Sequence, residues 1–180
     1  MRGNLPSFVI LGTIAFMSVL SPADQDSGGT ASPLHVRTET ELTVRAPYNV
    51  AFPLFGPAGE RSWAGAAWNP QFIYPSPAAD VQGTVFTVKH GPYQAVWVNT
   101  AYDVEGHRIQ YAYVISDVMA ATISLTFLSQ DSASTKVYVV YERTALSVAA
   151  NDLVQQFGAA DRARGADWER AINAYLEQHS

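Results

Sequence analysis

Arg108-Ile109-Gln110-Tyr111-Ala112-Tyr113-Val114-Ile115 sets aliphatic and aromatic side chains at every second position. That is the period of a strand with one face turned to a core, and it puts Tyr111 and Tyr113 on the same face as the isoleucines. The same period continues outward on both sides. Ile123, Leu125 and Phe127 alternate with Ser124 and Thr126, and Val137, Val139 and Tyr141 alternate with Tyr138, Val140 and Glu142. Upstream, Phe86, Val88 and His90 form a similar set. Around Trp97 the face stays open, because Val96, Val98, Thr100 and Tyr102 compete with Trp97 for the inner side. The pattern predicts strands over His35–Ala46, Gln71–Tyr74, Gly83–His90, Gln94–Asp103, Arg108–Ser116, Ala121–Ser129 and Thr135–Leu146. The breaks at Pro75-Ser76-Pro77, Gly91-Pro92, Glu105-Gly106, Ser116-Asp117 and Asp131-Ser132 are a few residues each, so consecutive strands should pair as antiparallel hairpins. Pro47–Phe55 and Pro57–Gly65 read as two short helical pieces, each opening on proline.

Past Leu146 the period changes. Leu153, Phe157, Ala160, Arg164, Trp168, Ile172, Tyr175 and Leu176 step by three or four, a stripe along one long helix. Ser147 or Asn151 could cap its start. Gly158 and Gly165 each weaken it by about 1 kcal/mol relative to alanine, which suits either a bend or gap above a sheet or tolerance on an exposed face. A fully buried Trp168 would make Trp168→Ala cost about 3–5 kcal/mol. The element order implies an α+β fold. A curved seven-stranded antiparallel sheet, with two short helices, carries the long C-terminal helix across its concave face. Side chains alone do not fill such a hollow, so a cavity is expected between sheet and helix.

The chain has 180 residues, of which 48% are hydrophobic and 15% charged, with a net charge of −5 and no cysteine. This composition fits a globular domain and disfavours a general nucleic-acid-binding surface. Zero cysteines exclude disulfides, thiolate catalysis and cysteine-based zinc sites. Phe8–Leu20 is an apolar run too short to span a bilayer, and Ser21-Pro22-Ala23 follows with small residues at the positions a signal peptidase reads. Residues 1–23 therefore read as an export signal, giving a periplasmic or secreted protein, with an uncleaved amphipathic or buried helix as the alternative. Residues 24–33, rich in Asp, Ser, Gly and Pro, read as a flexible leader. The domain proper is 34–180, and no stable membrane span is expected.

Two stretches carry a resemblance. Phe55-Gly56-Pro57-Ala58-Gly59-Glu60-Arg61-Ser62-Trp63-Ala64-Gly65-Ala66-Ala67-Trp68-Asn69-Pro70 is similar to a segment Pro-x-Gly-Glu-Arg-x-Trp, then Gly-Trp-x-Pro, of small bacterial members of the SRPBCC superfamily. Here Ala66-Ala67 separates Gly65 from Trp68, which leaves the register of Trp68 open. Tyr141-Glu142-Arg143-Thr144-Ala145-Leu146-Ser147, followed by a helix ending Trp168…Ile172…Tyr175-Leu176, is similar as well. The resemblance implies a START-like helix-grip domain over about residues 34–180. It says little about chemistry, because the superfamily holds binders, transporters and cyclases.

Dedicated chemistry is sparse. His35, His90, His107 and His179 include no pair at metal-ligand spacing, and the Glu105-Gly106-His107 turn suits a solvated histidine better than a ligand. Neither a Gly-x-Ser-x-Gly elbow nor a glycine-rich phosphate loop opens a helix. No catalytic residue, metal or cofactor is assigned on this basis. Glu60 could serve as an acid or base if burial raised its pKa, or it could pair with an arginine or face solvent. The candidate ligand-binding set is Glu60, Trp63, Trp68, Phe86, His90, Trp97, Tyr111, Tyr113 and Tyr141. An apolar hollow with tyrosine hydroxyls, an imidazole and a carboxyl suits a small hydrophobic or amphipathic ligand. The same residues could instead pack as core with ordered water. An aromatase/cyclase-type enzyme acting on a polyketide-like substrate is the second reading, and a docking domain with an idle cavity the third.

Overall fold

A computed structural model describes residues 31–129 and 131–179. Residues 1–23, read above as an export signal, and residues 24–30 of the stretch read as a leader lie outside them. The elements follow the chain as β1 (His35–Val44), α1 (Tyr48–Ala51), 3-10 turns at Phe52–Phe55 and Gly59–Ser62, and β2 (Gln71–Tyr74). Then come β3 (Val85–His90), β4 (Tyr93–Asp103), β5 (Arg108–Ile115), β6 (Met119–Ser129), β7 (Thr135–Ala145), a 3-10 turn at Val148–Ala150 and α2 (Asn151–His179). The seven strands form one antiparallel sheet in the order β1-β7-β6-β5-β4-β3-β2. Consecutive strands from β2 to β7 are neighbours, as short connections require. β1 closes the far side by pairing with β7 along its length, from His35 opposite Thr144 to Val44 opposite Thr135.

Alternation sets the core. Ile109, Tyr111, Tyr113 and Ile115 are buried on β5, as are Ile123, Leu125 and Phe127 on β6 and Val137, Val139 and Tyr141 on β7. On β4 the inner face goes to Ala95, Trp97, Asn99 and Ala101, while Val96 is turned out. A register shift between Asn99 and Ala101 then lets Tyr102 meet Phe52, with ring centroids 4.9 Å apart. Two expectations about the short helices change. Gly59–Ser62 is only a 3-10 turn, entered from Ala58 rather than from Pro57. Pro47 stands just before α1 instead of inside it.

The long helix also departs from its expected stripe. Its buried residues are Val154, Gly158, Asp161, Gly165, Ile172 and Asn173, whereas Ala160 is exposed and Trp168 only partly buried. The two glycines mark neither a gap nor an exposed face. They sit where the helix presses on β1: a Cβ at Gly158 would lie 2.6 Å from Val36 Cγ1, and one at Gly165 would lie 2.0 Å from Thr40 Oγ1 and 2.9 Å from the Glu41 carbonyl. Only glycine lets the backbones approach that closely. Helix side chains also occupy backbone groups of this edge strand and the residues flanking it. The Thr43 amide donates to Glu169 (2.7 Å), the Arg45 amide to Asn173 (2.8 Å), and Asn173 donates back to the Thr43 carbonyl (2.9 Å). An edge covered in this way has fewer groups left to pair with another chain.

Asn151 does not act as a side-chain cap. Its carbonyl oxygen accepts from the Leu34 amide (2.7 Å), and its amide donates to the Ser32 carbonyl (3.0 Å). Ser147 makes no capping hydrogen bond either. Ser32 and Leu34 are thus both hydrogen-bonded to the first residue of α2.

Candidate functional site

Between the concave face and α2 lies a cavity of about 310 Å³. β3 to β7 supply its floor, α2 its roof, and the segment around the Gly59–Ser62 turn one wall. Eight of the nine candidate residues line it: Glu60, Trp63, Trp68, His90, Trp97, Tyr111, Tyr113 and Tyr141. Phe86 does not. It is fully buried behind the lining, with its ring 5.8 Å from Trp97 and 6.1 Å from Trp68, and is a core residue.

Aromatic stacking holds the floor. The Trp97 and Tyr113 rings are nearly parallel at 3.9 Å, and the His90 ring, two strands over from Tyr113, lies 6.4 Å from it. Trp63 meets Trp168 of the roof edge-on at 5.6 Å, and Trp168 in turn meets Tyr141 at 6.3 Å. The register of Trp68 is thereby settled. Its indole donates to the Pro57 carbonyl (3.1 Å), and its ring stands edge-on to Trp97.

Polar groups in this shell fall into two classes. Some are already used: Tyr111 donates its hydroxyl hydrogen to the Phe55 carbonyl (2.7 Å), and Trp63 its indole hydrogen to the Leu54 carbonyl (2.7 Å). The Tyr113 hydroxyl accepts from Arg143 Nη1. Others are unused. Trp97 Nε1, His90 Nε2 and the Tyr141 hydroxyl are buried without a partner among the described residues. A buried polar atom left unpaired costs about 1–3 kcal/mol, so each one calls for an explanation.

Charge enters through residues outside the candidate set. Arg143 on β7 is buried in the lining and forms two parallel bonds to Asp161 of α2, at 2.6 and 2.7 Å. Its guanidinium also lies over the rings of Tyr113, Tyr141 and Phe157, at 5.3 to 5.6 Å from their centroids. Asp161 is fully buried and accepts from Arg164 Nε as well (3.3 Å). The sequence does carry a signal for Arg143, since it continues the inward phase of Val137, Val139 and Tyr141. Asp161 lies four residues beyond Phe157 and seven beyond Val154, on a helix face that an apolar search passes over.

Burial pushes the Glu60 carboxyl well above the ordinary carboxylate range; Asp80 adds to the effect and Arg164 opposes it. Burial lowers the His90 imidazole, helped by the positive charges of Arg164 and Arg143. Both shifts favour the neutral form. Among the described residues no cluster of His, Asp or Glu could hold a metal ion, and no helix is long and apolar enough to cross a membrane. His107, the histidine of the Glu105 turn, is stacked on Tyr48 at 4.1 Å.

No family model matches the chain, and no curated protein matches its sequence. Solved structures do match. Norcoclaurine synthase from Thalictrum flavum, in complex with dopamine and hydroxybenzaldehyde, superposes with a TM-score of 0.61 at 12% identity, covering 89% of this chain and 98% of that one. Ara h 8.0201 gives 0.58 at 16% identity over 80% and 99% of the two chains. The Mll3558 protein from Rhizobium loti gives 0.57 at 15% over 80% and 99%. At such identities the likeness speaks to architecture. With the strand order and the gripping helix, it gives this chain the helix-grip fold.

Proposed function

We propose that this domain binds one small, mostly apolar molecule with a polar group, inside the cavity between sheet and helix. The observation that carries this reading is the pairing of an aromatic-walled cavity of about 310 Å³ with three lining residues whose buried polar atoms lack partners among the described residues. A volume at the lower end of the usual ligand-pocket range suits a compact ligand. Burial of apolar surface, at roughly 25 cal/mol per Å², would supply most of the affinity. The complex of norcoclaurine synthase with dopamine and hydroxybenzaldehyde, two small aromatic molecules with polar groups, supports this reading by analogy of fold. Native mass spectrometry of the protein purified from its own host tests it. A co-purifying small molecule, lost on denaturation, is expected.

A second reading, an aromatase/cyclase-type enzyme, is favoured by one observation: Glu60 is a buried lining carboxyl biased towards its protonated form, as a general acid would need to be. Under it, Glu60→Gln abolishes a rate with a carboxylate-like pH profile. Under the binding reading the same change spares ligand uptake. We further propose, from the Phe8–Leu20 run and Ser21-Pro22-Ala23, that the domain works outside the cytoplasm after cleavage near Asp24. An intact mass beginning at Met1 would contradict that.

A further inference from the structure

Two arginines of the cavity wall share a single buried carboxyl group, that of Asp161. Arg143 uses Nε and Nη2 on Asp161 and Nη1 on Tyr113, so its donors are largely committed. Arg164 is held only through Nε, and its Nη donors have no partner among the described residues. Its side chain lines the cavity while remaining 42% exposed, which sets it at the opening rather than in the depths. Asp167, the acid of α2 that lines the cavity, is exposed and paired with Arg170. The remaining lining carboxyl, Glu60, is the buried group biased towards its neutral form. Two guanidinium groups therefore share one buried carboxyl group, which leaves Arg164 without an acidic partner of its own beside an apolar interior.

We propose, building on the binding reading above, that the cavity takes an anionic amphiphile: an apolar or aromatic body inside and a carboxylate-like group bonded to the Nη donors of Arg164. A planar guanidinium with two free nitrogens matches a carboxylate in a two-bond pairing, and such bonds are among the stronger ones available. A cationic head would meet the Arg164 guanidinium instead, and an alcohol would gain a single neutral hydrogen bond. Ligand sign is thus written into the wall by residues of β7 and α2.

A matched series tests this: 6-phenylhexanoate, 6-phenylhexanol and 6-phenylhexylamine, each displacing the uncharged fluorescent probe N-phenyl-1-naphthylamine from the full domain. The carboxylate should bind about tenfold tighter than the alcohol, and the amine more weakly than either. Arg164→Gln should remove the carboxylate's advantage over the alcohol, and Arg164→Lys should retain part of it. If the probe binds but the three compounds are equal, or the amine is preferred, the charge assignment is wrong and the binding reading stands. If neither the probe nor any member of the series binds, both fall together.

Discussion

Of the three tyrosines that alternation turns inward, Tyr111 and Tyr113 have partners for their hydroxyls, and Tyr141 has none among the described residues. Sequence phase gives the face of a side chain but is blind to what its hydroxyl meets, because those partners lie 56 and 30 residues away in the chain. The consequence is measurable. Tyr113→Phe takes an acceptor from the buried Arg143 and should cost about 1–3 kcal/mol, whereas Tyr141→Phe deletes an unpaired hydroxyl and should be neutral or slightly stabilising. Urea midpoints at unchanged m-value would read the difference. Glu60 makes a second test at this scale. Its proton is held more tightly in the folded than in the unfolded chain. As pH rises above its ordinary value of 4.5, the unfolded chain ionises first and the fold loses stability, by up to about 1.4 kcal/mol per pH unit, until Glu60 ionises in place. Glu60→Gln has no such loss, so its stability relative to the wild type should climb with pH across that window. Parallel curves for the two proteins would show that Glu60 is not held neutral by burial.

The elements were legible where period and punctuation agree. β5, β6 and β7 combine strict alternation with short polar breaks, and their bounds fall within two residues of the sequence reading. Gly59–Ser62 was less legible, since four residues carry too little periodicity to separate a 3-10 turn from a helix. The face of α2 was misleading for a different reason. An apolar stripe identifies the side towards the cavity, but closest contact with β1 is made by glycines, which have no hydrophobicity to detect. Here the two glycines differ in kind. Gly165→Ala would drive a methyl against the Glu41 backbone, and Gly158→Ala only against the Val36 side chain, which can give. Gly165→Ala should therefore lose about 1–3 kcal/mol despite the better helix propensity of alanine, and Gly158→Ala clearly less. Equal effects in thermal unfolding would mean that the helix does not press on β1 as described. Trp168, being partly buried, should cost less on truncation than the 3–5 kcal/mol expected of a fully buried indole.

At the scale of the molecule, a sheet curved around a helix leaves space that neither element fills. The sequence implied that hollow from element order, and of the eight lining residues it named, His90, Tyr111, Tyr113 and Tyr141 came from strand phase. It did not reveal the buried Arg143–Asp161 pair joining roof to floor, because an inward charge becomes intelligible only when its partner on another element is known. Such a pair costs several kcal/mol in desolvation and is strongly destabilising when only one member is removed. The cavity it borders is the centre of the functional account, so the decisive measurement is one that fills it. Ala171, on the cavity side of α2, is partly buried and lines the space. Titration of N-phenyl-1-naphthylamine into the wild type and Ala171→Phe, with unfolding midpoints recorded for both, puts the claim to the test. We expect saturable one-to-one uptake by the wild type and its loss in Ala171→Phe, which should remain as stable as the parent. Absence of saturable uptake by the wild type, or uptake untouched by the added ring, would contradict a ligand-binding cavity at this place.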